Sequence, residues 1–310
     1  MPIGLFLYEI DESFGPNIKV DYYLKDEKVS PEILEKLNEK HINKKLKEAI
    51  AKKDDIRYYS SLLESQSLDR KNLYLGFILR EEEDLLSLKS VFANIQEQVI
   101  ENYNIKDKKK MQSFLKDTLT SILNLIEKLK EPEIIKDTIN EKTKRMLDEG
   151  KLQEARELID LGEAVPSELS ELIRDADSLF KSGEYKKAKK RFLKAAELAE
   201  IIQENEIVSF LIKKAEKVGN YPDLIKEREN IQKEIKKQFL DLEKNQFRSY
   251  ELLISPIERL IEISNNFEDN DNYELMNNLL DKIHKALEIR KELSDIDGEI
   301  NQKLNNIQFT

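Results

Sequence analysis

The chain has two histidines, His41 and His284, and no cysteine. A zinc site needs several His, Cys or carboxylate ligands at close spacing. "DKIH" offers only Asp281 beside His284, and His41 has no ligand-type neighbour at metal spacing. Neither histidine is expected to hold a metal. "EEED" at Glu81–Asp84 could be a carboxylate pair for acid–base work. It also precedes an apolar helical stripe, where the helix dipole favours negative charge, and that structural reading is preferred. "EDNDN" at Glu268–Asn272 and "DIDGE" at Asp295–Glu299 carry oxygens suited to calcium. Both lack the glycine and glutamate register of a calcium loop, so they read as helix breaks. Neither GxxxxGK[ST] nor GxGxxG occurs, and no serine lies in a G-x-S-x-G context. No catalytic, cofactor-binding or metal residue is assigned, and a non-enzymatic protein is expected.

The densest basic stretch, "KKAKKRFLK" at Lys186–Lys194, could grip an acidic partner or a lipid headgroup. Ala188, Phe192 and Ala195 form the apolar side of the same helix, so its lysines read as a solvated face. The net charge is −10 and the pI about 5.2, which argues against nucleic acid as the main partner. No apolar run reaches the ~18 residues of a membrane span, and "MPIGLFLYEI" has no basic leader. Any membrane contact is expected to be peripheral or indirect. The absence of cysteine is compatible with a reducing cytoplasm. The chain has 310 residues, 37% of them charged, and a mean hydropathy of −0.62. It is too polar for one large core and too apolar for disorder. Long amphipathic helices with thin cores, arranged in two domains, fit that balance.

The elements that would position these groups change character along the chain. "IGLFLYEI" from Ile3 reads as a strand covered on both faces. After "DESFGP", Ile18, Val20, Tyr22 and Leu24 alternate with polar residues at period two. Gly15-Pro16 marks the connection between two antiparallel strands. Glu9, Asp11 and Glu12 are either a contact patch or a solvated turn. Ser30 and Pro31 open a helix whose stripe of Ile33, Leu34 and Leu37 continues through Ile42, Leu46 and Ile50. Strands are expected over 56–64 and 72–81. A helix then carries Leu85, Leu88, Phe92, Ile95 and Val99. Seven of the 11 tyrosines precede residue 105, in keeping with sheet composition.

The order is strand, strand, helix, strand, strand, helix, an α+β domain over residues 1–104. Together with "GLFLYEIDESFGPNIKVDYYL", "VSPEILEKLNEKH" and "LYLGFILREEED", it resembles the longin and roadblock group, in particular archaeal longin-like proteins. Many longins have five strands, whereas four are legible here. The resemblance implies a non-enzymatic platform that acts in small-GTPase regulation, vesicle trafficking and complex assembly. Such a platform presents a sheet edge or a helix pair to its partner.

"NIKDKKK" at Asn104–Lys110 reads as a charged boundary and linker. A connecting helix follows over 105–131 and ends before Pro132. It either packs back on the sheet or leads into the next domain. Over 132–310, "DEGKLQEARELI", "KSGEYKKAKKRF" and "KVGNYPDLIKER" each place a glycine two residues before an apolar residue, at Gly150, Gly183 and Gly219. "DNDNYELMNNLL" puts Tyr273 in the same slot. A period near about 34 with a Gly-x-Tyr turn between helices resembles tetratricopeptide repeats. The best-fitting unit has Leu172, Ala176 and Leu179 before the turn and Tyr185, Ala188, Phe192 and Ala195 after it. The segment from Tyr273 to Leu304 would cap the array or form a coiled coil.

The fold class expected is therefore an α+β longin-like domain followed by an all-α TPR-like array. The partners implied are a small GTPase or longin/roadblock subunit for the first domain, and a peptide or helix for the array's groove. A homodimer is open, and no nucleic acid is expected. The alternative is a TPR-type peptide-binding scaffold or co-chaperone-like protein whose first domain only caps or dimerises.

Overall fold

A computed structural model of the chain describes residues 2–11, 13–25, 28–44, 46–64, 72–80, 85–103, 107–242, 250–267 and 269–305. The chain divides into two compact units, Met1–Tyr221 and Pro222–Thr310.

The first unit opens with five antiparallel strands: β1 (Gly4–Asp11), β2 (Gly15–Tyr23), β3 (Glu48–Lys53), β4 (Ile56–Leu62) and β5 (Leu73–Arg80). Their order in the sheet is β2-β1-β5-β4-β3. The β1–β2 turn owes its shape to Asp11, whose carboxylate accepts from the Ser13 and Phe14 backbone N–H groups at 2.8 and 3.1 Å. Glu9 pairs with Lys19 at 2.8 Å. The acidic residues at 9 and 11 thus hold the hairpin, while Glu12 lies outside the described residues.

Side chains of the central strands alternate between two cores, as strand period requires. Phe6, Tyr8 and Ile10 of β1 and Tyr74 and Ile78 of β5 pack with Ile33, Leu34 and Leu37 of α1 (Pro31–Asn38). Leu5, Leu7, Leu75, Phe77 and Leu79 pack on the other face with α2 (Leu85–Asn102) and α3 (Lys108–Lys130). Gly76 leaves room for the Phe6 ring, since a Cβ there would lie 2.2 Å from it.

The fifth strand, β3, corrects the sequence reading. Ile50 does not extend the α1 stripe. α1 gives way to a π-helical turn at Glu39–Asn43, and Ile50 pairs across β3 and β4 with Tyr59. The expected helix start at Glu81–Asp84 lies outside the described residues. "DKKK" is not linker: Asp107 caps α3 by accepting from the Lys110 N–H at 3.0 Å, and Lys108–Lys110 form its first turn. α3 packs back on the sheet through Met111, Leu115, Leu119 and Ile122 and reaches the helical core through Leu125.

That helical core is built by α4 (Pro132–Asp148), α5 (Leu152–Lys181), α6 (Tyr185–Ile201) and the start of α7 (Asn205–Leu242). Of the residues assigned to the best-fitting repeat unit, Leu172, Ala176, Ala188, Phe192 and Ala195 are buried, and Leu179 and Tyr185 are half-buried against the same core. The α5–α6 turn uses Gly183 at φ +79°, a backbone shape that residues with a Cβ adopt at a cost. Glu204 at the α6–α7 turn accepts from Lys128 of α3 at 3.0 Å and Lys142 of α4 at 2.5 Å.

Two features of the repeat reading are corrected. α5 continues through Gly162 and Pro166, so no turn separates one helix pair from the next. A Cβ on Gly162 would lie 2.9 Å from Ile139, which makes that glycine a close-approach residue between α4 and α5. α7 likewise continues through Gly219 and Tyr221. Tyr221 packs its ring 5.0 Å from Phe180 and 5.4 Å from Tyr185, covering the Gly183 turn and making no turn of its own.

The second unit holds the rest of α7 from Pro222, α8 (Tyr250–Asn266) and α9 (Asn270–Asn305). Leu253, Ile257, Leu260 and Ile261 of α8 and Tyr273, Leu280 and Ile283 of α9 are buried. Arg259 donates to both oxygens of Glu227, at 2.7 and 2.9 Å, which ties α8 to α7. Asp269 breaks the chain before α9, as expected, and its carboxylate accepts from Asn272. "DIDGE" is not a break, because α9 runs through Asp295–Glu299. Among the described residues, no helix is long and apolar enough to cross a membrane.

Candidate functional site

The most concentrated polar chemistry lies under the π-helical turn. The Lys44 N–H reaches the Glu39 carbonyl at 3.2 Å, and the widened turn swings His41 into the sheet. His41 Nδ1 lies 2.6 Å from the Leu46 carbonyl and Nε2 lies 2.6 Å from Ser60 Oγ. A carbonyl only accepts, so Nδ1 carries the proton and Nε2 accepts from the serine hydroxyl. Ser60 Oγ in turn accepts from Tyr8 at 3.0 Å. Burial pushes His41 down to about 4, and it raises the Tyr8 phenol well above its usual range. The Tyr74 ring centroid is 4.1 Å from that of the imidazole.

A serine donating to an oriented imidazole has the outline of an activated nucleophile. Here Ser60 and Tyr8 are completely buried, so a substrate has no route to the hydroxyl. The chain Tyr8–Ser60–His41–Leu46 works as a latch that fastens the segment between α1 and β3 to β1 and β4. Sequence reading found His41 but not its partners, because they lie on strands distant in the chain. The other histidine, His284, is exposed on α9. Among the described residues, no group of three or more His, Cys, Asp or Glu is placed to hold a metal ion.

Charged groups also collect where β3 and β4 meet α2 and α7. Lys89 lies 3.0 Å from Glu48 and 5.3 Å from the Tyr59 ring centroid. Burial works against the Glu48 carboxylate, yet the Lys89 ammonium holds it below the usual range. Lys217 is pushed down to about 8, first by burial and then by the charge of Lys89. Nearby, Lys214 is only 3% exposed, and it donates to Asp177 at 2.7 Å and Ser87 at 2.9 Å. Its ammonium lies 4.8 Å from the Phe192 ring centroid. These contacts link α2, α5, α6 and α7 and are structural in character. A cleft of about 460 Å³ lies between α2, α3 and α7, lined by Asn94, Gln98, Phe114, Asp117 and Ser209 among others. Its walls mix amides, hydroxyls, the carboxylates of Asp117 and Glu206 and apolar side chains.

β2 and β3 form the edges of the sheet. Along β3, Lys40 donates to the Ile50 carbonyl at 2.6 Å and Lys53 pairs with Glu32 of α1 at 3.4 Å, so lysine side chains flank this edge. At the β1–β2 tip, Phe14 is 90% exposed. Sequence reading passed over it, although a large ring inside a polar turn was the available signal. The basic stretch Lys186–Lys194 lies along α6. Lys187 pairs with Glu184, Lys194 pairs with Glu168 at 3.5 Å, and Ala188 and Phe192 are buried, as a solvated helix face requires.

No family model, curated protein or solved structure matches this chain.

Proposed function

We propose that this chain is a non-enzymatic interaction protein whose N-terminal sheet domain is a longin-like platform for a small GTPase or a longin/roadblock-type subunit. The observation that carries this reading is the five-stranded antiparallel sheet with α1 on one face and α2 and α3 on the other. Five strands are what many longins have, and the fourth-to-fifth strand discrepancy disappears with β3. The helical pairs from α4 to α7 support a TPR-like array as the second binding element. Because α5 and α7 run on without inter-repeat turns, that array is better suited to bracing the platform than to forming a regular peptide groove. The mechanism is bridging, with affinity from buried apolar anchors and no covalent step.

The platform's most exposed anchor is Phe14. In a binding assay with purified small GTPases, Phe14→Ala should weaken capture at least about tenfold, the range of an aromatic anchor, without lowering the melting temperature. Unchanged capture by the variant would move the contact away from the hairpin tip.

A further inference from the structure

A second cleft in the first unit reverses the charge balance of the chain. It holds about 510 Å³ and lies between the end of β5, the start of α2, the end of α3, and α5 and α7. That volume is in the range that takes one small organic molecule. Asp and Glu outnumber Lys and Arg by 62 to 52 in the whole chain. The cleft is instead lined by four cations, Arg80, Lys130, Arg174 and Lys214, and one carboxylate, Asp177. Lys214 and Asp177 answer each other at 2.7 Å and set the floor. The other three cations come from β5, α3 and α5, are exposed, and form no ion pair with a described residue.

Three like charges gathered over one cleft repel one another, and an anion between them relieves that repulsion. A buried hydroxyl points to the same kind of ligand. Ser170 lines the cleft and is only 3% exposed. Its oxygen accepts from Arg174 at 3.3 Å, and its own proton meets no acceptor among the described residues. Such a hydroxyl is a donor in want of an oxygen. The rest of the wall is apolar, from Leu88, Ile126, Leu129, Ile173 and Phe210. Guanidinium and ammonium groups beside a hydroxyl suit phosphate oxygens, and a dianion answers three cations better than a carboxylate does. We propose that this cleft binds a phosphate monoester with an apolar body. Arg80, Lys130, Arg174 and Ser170 hold the phosphate, and Ile173 and Phe210 receive the body.

Calorimetric titration of the full-length protein with phenyl phosphate, inorganic phosphate and benzoate tests the site. Phenyl phosphate should bind saturably at one site. Inorganic phosphate, which lacks the body, and benzoate, which carries one charge, should each bind at least about tenfold more weakly. Arg174→Gln and Lys130→Gln should each weaken phenyl phosphate binding about tenfold, the range of a charge-assisted hydrogen bond. Both side chains are exposed, so the melting temperature should hold. Lys190→Gln removes the same charge from the solvated face of α6 and should leave binding unchanged. No saturable binding of phenyl phosphate, or binding unchanged in both cleft variants, would overturn the site. Equal weakening by all three variants would reduce it to general surface charge and overturn it as well. Inorganic phosphate binding as tightly as phenyl phosphate would overturn the apolar body, and benzoate doing so would overturn the phosphate.

Discussion

Between pH 6.5 and pH 4 an unfolded chain protonates His41, while the folded chain, whose His41 lies near 4, does not. The unfolded state therefore binds the extra proton, and stability falls as pH drops through this window. The loss reaches about 3 kcal/mol at the lower end, and above pH 6.5 it is absent. His41→Gln keeps a donor for the Leu46 carbonyl and an acceptor for Ser60 but cannot titrate. Urea unfolding at pH 7.5 and 4.5 should show the variant losing about 2.5 kcal/mol less stability than the wild type. Equal losses would mean that the latch is not the acid-sensitive element. Gly76 gives a second residue-scale prediction. Gly76→Ala drives a methyl into the Phe6 ring and should cost about 1–3 kcal/mol. Adding Phe6→Leu, which shortens the obstructing side chain, should return part of that loss in the same assay.

At the scale of elements, glycine type separates what was legible from what was not. Gly183 sits in a turn with positive φ and open space around it, whereas Gly219 sits inside α7 beside the Lys189 side chain. Gly183→Ala should cost about 1 kcal/mol from backbone strain alone. Gly219→Ala should be neutral or slightly stabilising, because helix propensity rises and a flexible lysine tip can move aside. Thermal melts of the two variants check the contrast, and matching losses would restore a turn at Gly219. Both glycines carry the same local pattern, so one sequence could not tell a turn from a close helix approach. The strand β3 was hidden for a related reason. "EAIAKK" is rich in helix-forming residues and continues the α1 period through Leu46 and Ile50. Pairing with β4 overrides that preference, and such pairing is not local information. By contrast, β1, β2, β4 and β5 announced themselves by apolar runs, by alternation and by the Gly15-Pro16 turn. The His41 latch was half legible for the same reason as β3, since its partners Ser60 and Tyr8 reach it only through the sheet.

For the molecule as a whole, the five-stranded sheet with helices on both faces is what the proposed platform reading rests on. Its sheet edges and its Phe14 tip are the surfaces on which that reading depends. The most direct measurement is binding of the full-length protein to purified small GTPases loaded with GDP or with a non-hydrolysable GTP analogue, with nucleotide exchange and hydrolysis followed in parallel. The account predicts saturable association that differs between the two nucleotide states and is weakened by Phe14→Ala. No association in either state, with exchange and hydrolysis rates unchanged, would contradict it.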